Sequence, residues 1–190
     1  MAQSTDRRVR KTKKAMSDAL AKLLLEKPLN NISVREIADE ADINRGTFYL
    51  HYRDVFDMAE QLQNEIMEKF EEIITSHESE TDSENLVPML ADCFELISEN
   101  ADLAKVMLSR NGDAAFLDKM KNAVNHKFYN DVQKLTNIEN PSEFDIFYNY
   151  IVYGFIGICT TWLENGMKES TLEIAKLTEK LILSNTNALA

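Results

Sequence analysis

Few side chains in this sequence are of the kinds that make and break bonds. Its three histidines, His51, His77 and His126, stand far apart, and Cys93 and Cys159 lie distant from one another among apolar neighbours. None falls at metal-ligand spacing, and the chain has no glycine-rich phosphate loop, HExxH or nucleophile elbow. The residues give an enzyme no support, and no metal or cofactor is expected. Neither cysteine has a nearby run of basic residues to lower its pKa, so both read as buried structural thiols rather than redox sensors.

The chemistry on offer is recognition of an anion. Residues 1–54 hold 11 basic side chains against 8 acidic ones, a balance of +3, so the overall −11 leaves −14 for residues 55–190. A basic module attached to an acidic body suggests a nucleic-acid partner at one end and another task at the other. The charge pattern fits a merely solvated basic tail equally well.

Composition narrows the frame that must position these charges. At 190 residues, 44% hydrophobic and 28% charged, with five Gly and three Pro, the chain has ordinary globular usage and favours helices. The longest apolar stretch, Tyr150–Leu163, is shorter than the roughly 18 residues of a membrane span and reads as a buried helix. Ser17, Asp18 and Lys22 interrupt the segment after the basic N-terminus, so it lacks the apolar core of a signal peptide. A cytoplasmic protein is expected, associated with the nucleoid when bound to DNA, with no membrane partner.

The periodicity gives about nine helices and no strand. Ala15, Met16, Ala19, Leu20, Leu23 and Leu24 form the apolar stripe of a first helix over Arg10–Glu26, which Pro28 stops. Ser33-Val34-Arg35-Glu36 is a capping box that opens a short second helix, with Ala38 allowing close packing and Ile43 plugging the corner. Asn44 caps a third helix that buries Phe48 and Tyr52. Asp54 caps a long fourth helix with a stripe of Phe56, Ala59, Leu62, Ile66, Phe70 and Ile73.

Residues 76–85 form a polar connector, and helices follow near 86–97, 101–108 and 114–135. Pro141-Ser142 starts the most apolar helix, Asn165-Gly166 ends it, and the capping box Ser170-Thr171-Leu172-Glu173 starts the last.

The run Ile32-Ser33-Val34-Arg35-Glu36-Ile37-Ala38, followed by Ala41-Asp42-Ile43-Asn44-Arg45-Gly46-Thr47-Phe48-Tyr49 and His51-Tyr52-Arg53-Asp54, resembles the tetracycline-repressor (TetR) family of bacterial transcriptional regulators. The resemblance covers roughly residues 10–62; beyond them only the helix count and the apolar last pair of helices match. It implies an all-α chain: a helix-turn-helix DNA-binding domain over 1–54, then a ligand-binding and dimerisation domain over 55–190.

In this reading Asn44–His51 is the recognition helix, entering the major groove of operator DNA. Arg45 would bond two acceptors of guanine, Asn44 a base or phosphate, and Thr47 would offer a hydroxyl or methyl, with Gly46 permitting close approach. Leu50 joins them as a further contact. Tyr49, His51, Ser33, Arg35 and Arg53 would touch the DNA backbone.

Two positions depart from the family pattern. Asp42 stands where a turn glycine is usual, tolerable because aspartate visits the left-handed region. Val55 replaces a common basic residue, a phosphate contact that Arg53 would supply instead.

For the body, the resemblance implies a small organic effector and a homodimer. The pocket is sought among Phe94, Met107, Phe116, Met120, Phe128, Tyr148 and Trp162. The dimer face is sought on the last two helices at Tyr150, Tyr153, Gly154, Gly157, Thr161, Ile174 and Leu181. The expected function is a homodimeric repressor released from a palindromic operator by its effector. A DNA-anchored adaptor for a protein partner and a ligand-binding protein without DNA function stand as alternatives.

Overall fold

The computed structural model describes residues 2–77, 85–108, 118–122, 138 and 140–187, with side chains from residue 7 to residue 184. The protein is all-α, and among the described residues no strand occurs. The helices are α1 (Ala2–Glu26), α2 (Val34–Glu40), α3 (Arg45–Tyr49), α4 (Val55–Ser76), α5 (Val87–Glu99), α6 (Ala101–Met107), α7 (Pro141–Glu164) and α8 (Thr171–Asn187), with a 3-10 turn at Leu29–Asn31. Residues 118–122 are helical as well. By internal packing the chain divides into residues 1–66 with 102–106, and residues 67–101 with 107–190; α4 runs through the division.

In the first unit the core forms where the apolar periods of three short segments coincide. Met16, Ala19 and Leu20 from α1, Ile37 and Ala38 from α2, Phe48 from α3 and the following Tyr52 are all buried. Ala38, 1% exposed, lets the helices of the turn approach closely, and Ile43 N–H donates to its carbonyl at 2.9 Å. Lys22 to Glu40 at 2.6 Å ties α1 to α2, and Lys13 to Glu65 at 2.9 Å ties α1 to α4. Such exposed pairs stabilise by only about 0–1 kcal/mol, so register here is set mainly by the buried side chains.

Two expectations for α1 and α4 need correction. α1 starts at Ala2 and not near Arg10, so the basic segment is itself helical. The inward stripe of α4 is Val55, Met58, Leu62, Met67, Phe70 and Ile74, whereas Phe56 is 59% exposed. Val55 and Met58 take the inward positions, which turns Phe56 to the solvent.

In the second unit α5 packs chiefly on α8, and the N–H groups of Leu86 and Val87 donate to Glu179 Oε1 at 2.6 and 3.2 Å. That carboxylate satisfies donors that the first turn of α5 would otherwise leave unpaired. Phe94 is fully buried, with Trp162 at 5.3 Å edge-on and Phe155 at 5.6 Å. Phe144, Phe147, Tyr148 and Val152 form a further buried cluster on α7.

Longer than its apolar run suggests, α7 spans 24 residues and meets the length and composition of a membrane-crossing helix. Its inner side nonetheless packs as a core helix does, with Phe144, Phe147, Val152, Cys159 and Trp162 buried along one face. The helix ends in a turn with Gly166 at φ +78° and Met167 at φ +53°. The left-handed positions are thus Gly166 and Met167, while Asn165 keeps a negative φ.

Candidate nucleic-acid interface

The site is built from three caps. Ser33 Oγ accepts from Glu36 N–H at 3.3 Å and donates to Glu36 Oε2 at 2.8 Å, while Ser33 N–H donates to the same oxygen at 3.1 Å. Lys27 closes the array by donating to Glu36 Oε1. The Lys27 ammonium, then Ser33, hold the Glu36 carboxyl down at about 2. Glu36 is therefore ionised whenever the protein is folded near neutral pH, and α2 starts from a fixed point. The Ser33 hydroxyl proton is thus directed at Glu36 while the cap stands.

Asp42 makes the turn at φ +52°, the left-handed conformation expected at this position. Asn44 then caps α3, its Oδ1 accepting from Thr47 N–H at 3.0 Å and from Thr47 Oγ1 at 3.3 Å. Thr47 thus spends its hydroxyl on the cap. A Cβ at position 46 would lie 3.2 Å from Asn44 Oδ1, so Gly46 also protects the cap.

This five-residue helix is anchored through Phe48, while Arg45, Gly46 and Tyr49 are exposed. Phe48 is 0% exposed and sits 5.6 Å from both Tyr49 and Tyr52. Tyr49 is 58% and Leu50 80% exposed, and Arg45 is exposed with no carboxylate partner among the described residues. His51 is half-buried beside Tyr52.

The corner after α3 is rigid. Asp57 accepts from Arg53 Nε at 3.1 Å, Arg53 Nη2 at 2.8 Å, Arg53 N–H at 2.8 Å and Gln61 Nε2 at 3.0 Å. Asp54 Oδ1 accepts from Asp57 N–H at 2.9 Å, the cap expected for α4. The Arg53 guanidinium is held in one orientation yet its side chain stays 82% exposed, and the pair raises the arginine pKa and lowers that of Asp57. Arg35 is more loosely held, 3.5 Å from Asp39 with both side chains exposed. Asp57 and Lys13 did not figure among the sequence candidates, although the i,i+4 spacing of Arg53 and Asp57 was a legible signal.

The body residues sort differently. Phe94, Met107, Tyr148 and Trp162 are buried and Met120 half-buried, while Phe116 and Phe128 lie outside the described residues. Trp162 Nε1 donates to the Glu169 carbonyl at 3.0 Å, so its polar edge closes the α7–α8 turn. Tyr150, Tyr153, Gly154, Gly157 and Thr161 are exposed along α7, as is Leu181 on α8. Ile174 is a correction: only 5% exposed, it packs into the chain's own core through the face it shares with Ala175 and Thr178. Burial pushes the Cys93 thiol up to about 12 and Cys159 well above its ordinary value, which makes both poor nucleophiles.

The sequence pattern of bacterial regulatory proteins of the tetR family matches residues 17–60, and that of a transcriptional regulator C-terminal region matches residues 84–184. The chain belongs to the TetR family of bacterial regulatory proteins. It is 25% identical over 182 residues to the HTH-type transcriptional regulator YxbF of Bacillus subtilis, covering 88% of this chain and 43% of that protein. The chain therefore spans less than half the length of this relative.

Its fold is that of the fatty acid degradation regulator FadR from Bacillus halodurans, at TM-score 0.68 and 21% identity over 90% of this chain and 97% of that one. FadR from Bacillus subtilis, solved in complex with stearoyl-CoA, matches at TM-score 0.62 and 20% identity over the same shares, 90% and 97%.

Proposed function

We propose that the chain is a homodimeric repressor whose residues 1–54 bind a palindromic operator and whose residues 55–190 dimerise and bind a small organic effector. The observation that carries this reading is the split exposure at α3: Phe48 is fixed in the core while Arg45, Tyr49 and the following Leu50 are exposed. A short helix with a buried anchor and a bare basic-aromatic face has the shape needed to enter a major groove. Arg45, the outward amide of Asn44 and the Thr47 methyl read bases; Tyr49, His51, Arg35 and the oriented Arg53 hold phosphates.

Two such helices about 34 Å apart would meet a palindrome, and an effector that changes that separation would release it. The dimer forms through the outer faces of α7 and α8. The effector is apolar, in keeping with the aromatic side chains Phe94, Tyr148, Phe155 and Trp162, and stearoyl-CoA, held by a structural neighbour, is the first probe. The working compartment is the cytoplasm.

Selection of genomic fragments with the purified protein tests the reading, followed by binding of the winning and scrambled duplexes at two salt concentrations. A palindromic winner bound about a thousandfold over scrambled DNA supports it. Equal weak binding to both refutes it in favour of a protein-binding adaptor.

A further inference from the structure

The basic N-terminal part of α1 is the largest feature that the interface above leaves unused. Arg7, Arg8, Arg10 and Lys11 are all exposed, and none has an acidic partner among the described residues. Lys13 and Lys14, by contrast, are paired with Glu65 and Asp18. Arg7, Arg10, Lys11 and Lys14 follow i, i+3, i+4, i+7 spacing and so share one face, opposite the face that buries Met16, Ala19 and Leu20. Like charges at this spacing destabilise a helix by a few tenths of a kcal/mol per pair. The chain carries 32 acidic residues yet places none between Arg7 and Lys14 to relieve them.

Lys13 marks where this stripe lies. Its ammonium lies 5.9 Å from the centre of the Tyr52 ring and pairs with Glu65, which places this part of α1, held in register by its buried side chains, beside the corner that presents Arg53. At 1.5 Å per residue, Arg7 lies about 9 Å along the helix from Lys13. The unpaired cations thus begin with Lys11, about 3 Å along the helix from Lys13, and continue outward to Arg7. They also precede residues 17–60, where the family pattern matches.

We propose that the Arg7, Arg10 and Lys11 stripe is a second duplex-DNA contact, binding backbone phosphates that flank the half-site read by α3. It rests on the DNA-binding reading above. Phosphate is the fitting ligand because three adjacent cations on one face neutralise successive charges of a strand and make no base-specific demand. The stripe lengthens the footprint and adds affinity without adding sequence preference.

The test compares the full-length protein with its Arg7→Gln/Arg10→Gln/Lys11→Gln variant, on the selected operator with long flanks, on the same operator trimmed to its core, and on scrambled DNA. Glutamine keeps helix propensity, and circular dichroism confirms the fold. With one phosphate per cation, the slope of log K against log salt should flatten by about 2–3 for each protomer bound. Affinity for operator and scrambled duplex should fall by the same factor, and the variant should no longer discriminate long from trimmed flanks. Lys14→Gln, which removes a cation already paired with Asp18, should change the slope less.

A folded triple variant with wild-type affinity and slope on the long duplex overturns the proposal. If the wild type itself shows no salt-sensitive DNA binding, the DNA-binding reading fails and takes the stripe with it.

Discussion

Arg45→Ala is the sharpest perturbation of the proposed reading surface. Arg45 is the first residue of α3, exposed, and without an ion pair among the described residues, so its removal leaves no buried charge or cavity behind. Alanine favours helix at least as well as arginine, and the Asn44 cap reaches Thr47 and not position 45. Stability should therefore stay within about 0.5 kcal/mol of wild type. A bidentate contact to guanine contributes about 1–3 kcal/mol of discrimination, and a dimer places one Arg45 on each half-site, so the loss on a full operator should be about 2–6 kcal/mol.

That corresponds to between about thirtyfold and 10⁴-fold weaker binding, with tenfold for each 1.4 kcal/mol. Titration of labelled duplexes at fixed salt measures it, with a scrambled duplex alongside. On scrambled DNA the variant dimer should lose only what two fewer cations, one per protomer, cost. Equal losses on both duplexes would show that Arg45 neutralises phosphate, and the base-reading role would fall.

Other outcomes follow from the same geometry. Phe48→Ala removes a ring with 0% exposure and should destabilise the first unit by about 3–5 kcal/mol, measured by denaturant unfolding. Because the folded-state pKa of Glu36 is lowered to about 2, its contribution is complete above about 4.5 and fades as pH falls from there towards 2. Acid titration of the Lys27→Met variant should lose much of that dependence, and an unchanged acid profile would count against the Lys27–Glu36 pairing.

At Asp42, where φ is +52°, replacement by valine should cost about 1–2 kcal/mol, while glycine should stay within about 1 kcal/mol of wild type. Gly157→Leu should convert a dimer to a monomer, read by sedimentation.

Much of the DNA-binding unit is legible in its sequence because each short helix carries its own start signal. Ser33 with Glu36, Asn44, Asp54 and Ser170 with Glu173 all cap as their residue types require, since a cap is decided within three residues. Tyr49 and Leu50, placed among the DNA contacts by the resemblance, are exposed, which their residue types alone did not require, because an apolar side chain at a helix end reads equally as core. The rotated stripe of α4 shows the same limit: Phe56 and Val55 are adjacent, and only tertiary packing decides which turns inward. Lys13 escaped notice because Tyr52 and Glu65, its partners, are distant in sequence.

The hardest part to read is the outer face of α7, where apolar residues lie on both sides of one helix. Ile146, Tyr150 and Tyr153 are 70%, 57% and 57% exposed and, with Gly157 and Thr161, fall at i, i+4, i+7, i+11 and i+15 on a single stripe. A Cβ added at Gly154 or Gly157 would meet no atom within 4 Å, so nothing among the described residues requires glycine there. In an isolated chain, replacing such a glycine with leucine should strengthen the helix by about 0.8–1 kcal/mol.

A pair of α7 helices packed across a twofold axis reverses that sign, because close approach of two backbones leaves no room for the new side chain. The Gly157→Leu variant should therefore be at least as resistant to denaturant as a dissociated wild-type chain, yet sediment as a monomer and bind a palindrome as weakly as a half-site. A variant that remains dimeric at the wild-type concentration would place the interface elsewhere and leave the exposed tyrosines unexplained.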